Sequence, residues 1–147
     1  MRPTFFVLFF VLFLFSAVAD SGLTYSAAVQ RAKAEGKAVY LLITAPGCRW
    51  CRKFEHETLC DPAVQARLRE LAVSVEAERG SGTYPARLAA PAVPMHFFLR
   101  PDGEILVKMP GYWNPEDFLS ILGDVRRKMH RQGSGSEHRS NNEQEKK

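Results

Sequence analysis

The chain has 147 residues, of which 46% are hydrophobic and 24% charged, a composition that suits one domain with its own core. The formal net charge of +4 is too small to indicate a nucleic-acid partner. Three cysteines are too few for a scaffold held together by disulfides, and at least one of them has no cysteine partner within the chain.

Residues 1–19 are predicted to be a secretory signal peptide. Arg2 supplies a positive start, residues 5–15 are an unbroken run of Phe, Val and Leu, and Ala19 ends a small-residue cleavage motif. The apolar stretch up to Ala19 has 15 residues, fewer than the roughly 20 that span a bilayer, which disfavours an uncleaved anchor. We therefore expect a periplasmic or otherwise exported protein that begins at Asp20 and keeps no stable membrane anchor.

The domain is predicted to span residues 20–131, and its first half alternates helices with strands. Thr24 caps a predicted helix that ends at Gly36, and the apolar run 38–44 is typical of a strand buried on both faces. The next elements are a polar helix over 48–58, a helix that starts at Asp61 and Pro62 and reaches residue 71, and a strand over 72–77.

The second half of the domain predicts a hairpin followed by a helix. Residues 78–92 are predicted to be a loop, with one helical turn around Arg87. The strands 95–99 and 104–109 are joined by a Pro-Asp-Gly turn, and a last helix runs from Asn114 to Arg131. Its buried stripe is expected to hold Phe118, Leu119, Leu122, Val125 and Met129. Residues 132–147 are almost without apolar side chains and are predicted to be a disordered tail.

Cys48 and Cys51 form a CxxC pair at the point where a buried strand meets a helix. A helix N-terminus favours a thiolate, so we expect Cys48 to face outward as an attacking nucleophile, with Arg49 lowering its pKa further. Cys51 lies one helical turn later and is placed to close a disulfide that releases a bound substrate. Cys48, Cys51, His56 and Cys60 also resemble four zinc ligands, but on one helix His56 and Cys60 project to a different side.

These motifs resemble the thioredoxin-like superfamily, and within it exported thioredoxin-like proteins and the C-terminal domain of the reductase DsbD. The resemblance covers about residues 24–125 and rests on the CxxC pair, Val93-Pro94, the Phe-Phe-Leu-Arg-Pro-Asp-Gly segment at 97–103 and Gly111-Tyr112. It implies an α/β thioredoxin fold with a mixed central sheet of about four strands flanked by helices and an extra N-terminal helix. It also implies that Pro94 is cis and that Val93 presents its backbone to an extended substrate.

Two departures from that family alter the expected site. Leu42 occupies the position where many relatives carry a buried acid, so we expect Glu55, on the same helix face as Cys51, to assist proton transfer instead. A solvated surface charge is the alternative for Glu55. Cys60 is expected to be a small buried apolar residue, with a third redox thiol as the alternative.

The predicted function is exchange between a dithiol and the disulfides of protein substrates, with no organic cofactor because the cysteine pair carries both electrons. Trp50 is expected to contact substrate, whereas Tyr112 and Trp113 fit either the same groove or the core. Arg49 favours an oxidising pair, but the likeness to a reductase domain favours a reductant that a further redox protein recharges. The alternatives are a binding or chaperone module whose CxxC disulfide is structural, and a metal carrier.

Overall fold

The computed structural model describes residues 22–131, so the predicted signal peptide and the predicted tail lie outside it. The helices are α1 (Tyr25–Glu35), α2 (Arg49–Phe54), a π-helix (Glu55–Leu59), α3 (Pro62–Leu71) and α4 (Pro115–Arg131). The strands are β1 (Ala38–Thr44), β2 (Ala72–Glu78), β3 (Met95–Leu99) and β4 (Ile105–Pro110). No helix within residues 22–131 is long and apolar enough to cross a bilayer.

The four strands form one mixed sheet in the order β2-β1-β3-β4. β1 pairs in parallel with β2, and both the β1–β3 pair and the β3–β4 pair are antiparallel. β1 therefore lies inside the sheet between two neighbours, which explains why six of its seven residues are buried and why its sequence is an unbroken apolar run.

Local signals in the sequence set several helix boundaries. The hydroxyl of Thr24 accepts a hydrogen bond from the Ala27 amide, and Gly36 ends α1 with a φ of 65°, a left-handed conformation that glycine adopts without steric cost. The carboxylate of Asp61 accepts hydrogen bonds from the first amides of α3, with Pro62 in the first turn. In the same way, the Asn114 side chain accepts from the Asp117 amide at the start of α4.

Helices cover both faces of the sheet, and each face holds its own apolar core. α1 and the segment around Leu88 cover one face through a cluster of buried residues that includes Val39, Leu41 and Ile43 of β1. The other face packs against α2, α3 and α4 and includes Tyr40, Leu42, Phe54, Phe98 and Phe118. Period-2 alternation along β1 thus sends Tyr40 and Leu42 toward the face covered by α2, the helix that carries the cysteine pair.

Three predicted details differ from the structure. The helix predicted over 48–58 is α2 followed by a π-helix, so its hydrogen-bond pattern changes at Glu55. Around Arg87 the chain makes a turn closed by the Leu88 amide and the Pro85 carbonyl, 2.9 Å apart, and not a helical segment. On α4, Leu119 and Met129 are only partly buried, because Phe118, Leu122 and Val125 hold the centre of its packed stripe.

Candidate active site

The sheet topology brings three distant parts of the chain together at the end of the sheet where β1 finishes and β3 begins. β1 ends at Thr44 next to the start of β3, with Ile43 opposite Met95, and Met95 in turn lies opposite Pro110 at the end of β4. The segments that follow β1, precede β3 and follow β4 therefore meet there. They carry Cys48, Pro94 and Gly111 respectively.

The two cysteines are joined in a disulfide at the start of α2, with their Cα atoms 5.3 Å apart. Cys48 is the N-cap residue and is partly exposed, and its Sγ accepts a hydrogen bond from the Cys51 amide at 3.1 Å. Cys51 points into the protein and is 3% exposed. An incoming sulfur can therefore approach Cys48 from solvent, whereas Cys51 is reached mainly through Cys48.

The peptide bond between Val93 and Pro94 is cis, as the family resemblance implies. The carbonyl of Pro94 accepts a hydrogen bond of 2.7 Å from the Gly111 amide, which ties the start of β3 to the segment after β4. Gly111 has a φ of 88°, a conformation that a side chain would strain. The chain can turn sharply there and bring Tyr112 beside the cysteine helix.

A shallow groove of about 340 Å³ lies beside the disulfide and is lined by Trp50, Val93, Gly111 and Tyr112. Trp50 is 47% exposed, in agreement with its predicted surface position, and its ring centroid lies 6.1 Å from that of Tyr112. Tyr112 thus belongs to the groove, one of the two positions considered for it. These two rings give the edge of the sheet an apolar surface next to Cys48.

Two cations lie against the aromatic rings of the groove. The guanidinium carbon of Arg49 is 5.1 Å from the Trp50 ring centroid. Lys53 Nζ lies 5.4 Å from that of Trp50 and 4.6 Å from that of Tyr112. Cation–π attraction of this kind holds positive charge at a defined place beside the disulfide.

The π-helix anchors the segment after β4. The Thr58 hydroxyl, which is fully buried, donates to the Trp113 carbonyl at 2.6 Å, and the Tyr112 hydroxyl donates to the Glu57 carboxylate at 2.6 Å. The bond to Glu57 is the main reason that the pKa of Tyr112 is raised. π-helical turns often occur at functional sites. Here the π-helix places Glu57 and Thr58 where they bond to Tyr112 and Trp113, and Tyr112 lines the groove.

His96 is a site residue that the sequence interpretation missed. It lies on β3, two residues after Pro94, is fully buried, and uses both ring nitrogens. Nε2 lies 2.9 Å from the Gly111 carbonyl, which can only accept, so Nε2 carries the proton. Nδ1 therefore accepts from the Tyr40 hydroxyl, also at 2.9 Å. The sequence held one signal for this role, a single histidine inside the apolar strand 95–99. A polar side chain buried in such a strand needs hydrogen-bond partners.

Burial determines the charge of His96. Removal from water lowers its pKa from 6.5 to about 4, and the hydrogen bond to Gly111 opposes this shift only in part. The rings of Phe54 and Phe118 pack against the imidazole, with centroids 4.6 Å and 6.0 Å away. His96 is therefore neutral at pH 7 and holds Gly111 in place behind the groove.

The position of the family's buried acid is apolar here. Leu42 is 3% exposed and lies opposite His96 in the β1–β3 register. Glu55 begins the π-helix, four residues after Cys51, and is partly buried. Within residues 22–131 its carboxylate has no hydrogen-bond or ion-pair partner.

The third cysteine corrects one expectation. Cys60 is exposed and not a buried apolar residue, because it follows the π-helix at the surface before Asp61 caps α3. The four residues that resembled zinc ligands do not assemble. Within residues 22–131 no three His, Cys, Asp or Glu side chains lie where they could hold a metal ion together.

A mixed four-stranded sheet with a CxxC disulfide at the start of a helix and a cis-proline opposite defines a thioredoxin-like domain. The family model described as a thioredoxin-like domain matches residues 25–126, and the chain belongs to that family. No curated protein sequence matches the chain.

Solved structures agree with the family. A thioredoxin from Thermus thermophilus is 26% identical, with a TM-score of 0.65, over 78% of this chain and 93% of that one. The oxidised C-terminal domain of Neisseria meningitidis DsbD is 19% identical, with a TM-score of 0.58, over 68% and 90%. A protein titled DsbH oxidoreductase is 18% identical, with a TM-score of 0.60, over 69% and 81%. The predicted thioredoxin fold with its additional N-terminal helix is confirmed.

Proposed function

We propose that the protein is an exported thiol–disulfide oxidoreductase that acts on protein substrates, with Cys48 as nucleophile and Cys51 as resolving thiol. The observation that carries the proposal is the asymmetry of the pair. Cys48 is partly exposed and its sulfur accepts an amide hydrogen bond, while Cys51 is buried behind it. A hydrogen bond to sulfur favours the thiolate, which is the attacking form.

The two cysteines carry both electrons of the reaction, so no redox cofactor takes part. In the reduced protein the Cys48 thiolate attacks one sulfur of a substrate disulfide, which forms a mixed disulfide and releases the other substrate sulfur as a thiolate. Cys51 then loses its proton and attacks Cys48 Sγ. The substrate leaves with both sulfurs reduced, and the protein is left with the Cys48–Cys51 disulfide until a dithiol protein reduces it.

Glu55 is the group we propose as proton acceptor for Cys51. It follows Cys51 by four residues on the same helical stretch, and within the described part of the chain its carboxylate has no hydrogen-bond or ion-pair partner. His96 is less suited, because both of its ring nitrogens already have partners. Glu55→Gln should change the pH dependence of mixed-disulfide resolution while leaving Cys48 alkylation unchanged. An unaltered pH profile would show that Glu55 is only a surface charge.

Alkylation of the reduced protein tests the function itself. The rate at Cys48 should reach half its maximum well below the ordinary thiol pKa of about 8.5, and Cys51→Ala should accumulate a mixed disulfide with a protein substrate. A Cys48 that does not react at neutral pH would mean that the disulfide is structural and that the domain is a binding module.

We propose that the reduced cysteine pair acts as a reductant of substrate disulfides. Equilibration of the pair with glutathione should give a potential near the value of about −270 mV found for thioredoxin, and a value near the −120 mV or so of DsbA would reverse the direction. Export is supported by the features of residues 1–19. Sequencing of the exported protein should begin at Asp20, and a protein that begins at Met1 would exclude cleavage.

A further inference from the structure

The outer side of α2 is a cationic surface made of Arg49, Arg52 and Lys53. These residues are spaced by three and four positions, so they share one face of the helix, and all three are exposed. Cys51 and Phe54 occupy the opposite, buried face. The positive charges therefore lie on the solvent side of the helix that carries the cysteine pair.

This surface is only partly neutralised by the protein. Lys53 lies 3.8 Å from the Glu57 carboxylate, whose other contact is the hydroxyl of Tyr112. Within residues 22–131 neither Arg49 nor Arg52 has an ion-pair partner. Two guanidinium groups beside the disulfide are thus available to a carboxylate that the protein itself does not supply.

The cationic surface is continuous with the groove beside Cys48. Arg49 lies over one face of Trp50, and Lys53 spans Trp50 and Tyr112. A chain that reaches Cys48 through the groove passes an apolar wall and positive charge together. An acidic segment with an apolar side chain matches both features, whereas a basic segment is repelled.

We propose that the disulfide exchanged by this site lies in an acidic protein segment. An apolar side chain next to the substrate cysteine fits against Trp50 and Tyr112, and flanking carboxylates pair with Arg49 and Arg52. The inference rests on the proposed function and adds the class of substrate. Two exposed ion pairs correspond to a preference of roughly 2- to 30-fold over an uncharged segment at low salt.

The test uses disulfide peptides that share one sequence and differ only in flanking Glu, Gln or Lys residues. The reduced protein should react fastest with the Glu peptide and slowest with the Lys peptide, and the differences should shrink between 20 mM and 500 mM salt because exposed charges are screened. Equal rates for the three peptides, or a faster Lys peptide, would overturn the inference.

Variants separate this surface from the overall charge of the protein. Arg52→Gln removes one of the two ion pairs and should reduce the preference for the Glu peptide by roughly 1.4- to 5-fold at low salt. Arg69→Gln is the matched control, because Arg69 is also an exposed arginine but lies on α3 near the start of β2, at the opposite end of the sheet. This variant should keep the full preference for the Glu peptide. An equal loss in both variants would point to net charge and contradict the proposed surface.

An uncharged small disulfide distinguishes the two proposals. Hydroxyethyl disulfide carries neither the acidic nor the apolar feature, so wild-type protein should reduce it whatever the preference among peptides. If this reaction fails, the proposed function fails. If it proceeds while the three peptides react alike, the oxidoreductase stands and the acidic substrate class is wrong.

Discussion

The fully buried His96 makes the free energy of unfolding depend on pH in a calculable way. In the folded protein its pKa is about 4, against 6.5 for an ordinary histidine, because burial disfavours the charged ring. Between these values the unfolded chain binds more protons than the folded one, so stability falls as the pH is lowered. At about 1.4 kcal/mol per tenfold change in proton affinity, the full loss is about 3 kcal/mol.

About 2 kcal/mol of this loss should occur between pH 7 and pH 5, before most carboxylates titrate. Urea unfolding of the oxidised protein at half-unit pH steps would measure it. His56→Gln, which removes an exposed histidine, should leave the slope unchanged.

His96→Leu supplies the second arm of the experiment. It leaves the Tyr40 hydroxyl and the Gly111 carbonyl without their partner, which should cost about 2–5 kcal/mol at pH 7. That cost should shrink by about 2 kcal/mol at pH 5, because the variant no longer has the histidine whose protonation weakens the wild type. A wild-type stability that is flat from pH 7 to pH 5, or a slope lost in His56→Gln, would refute the reasoning.

Two further predictions concern the π-helix and the third cysteine. Thr58→Val removes the hydroxyl that donates to the Trp113 carbonyl and should lower the free energy of unfolding, measured in urea, by about 1–2 kcal/mol. Thr58→Ser retains a hydroxyl and should keep most of the stability. Equal losses in the two variants would mean that packing and not the hydrogen bond matters. The oxidised, native protein should show one thiol per chain to Ellman's reagent, because Cys60 is exposed and the other two cysteines are bonded. Cys60→Ser should show none, and a thiol that reacts only in denaturant would contradict its exposure.

Sequence patterns that act over a few residues predicted much of the fold. The unbroken apolar run of β1, the Asp61-Pro62 start of α3 and the Pro-Asp-Gly turn each depend on neighbours in the chain, so one sequence was enough to read them. Trp50 was expected at the surface and is exposed, while its contact with substrate stays a prediction.

The features that escaped prediction depend on distant partners. His96 is bonded to Tyr40, 56 residues away, and to Gly111, 15 residues away, so its role becomes visible only when the strands are in register. The hydrogen bond from Thr58 of the π-helix to the Trp113 carbonyl likewise joins residues 55 positions apart. Helical periodicity alone predicts an ordinary α-helix over the π-helical residues. Cys60 was expected to be buried for a different reason, namely its place between two helices where relatives often carry a small residue, and it is exposed.

The short segment from Gly111 to Trp113 is fastened to two separate parts of the protein. Hydrogen bonds link it to Pro94 and His96 on one side and to Glu57 and Thr58 on the other. Gly111 and Tyr112, which line the groove beside Cys48, are consequently tied to the rest of the domain from both sides. A chain that binds in the groove meets a surface that is already held in place. Little conformational entropy of this segment is therefore lost on binding.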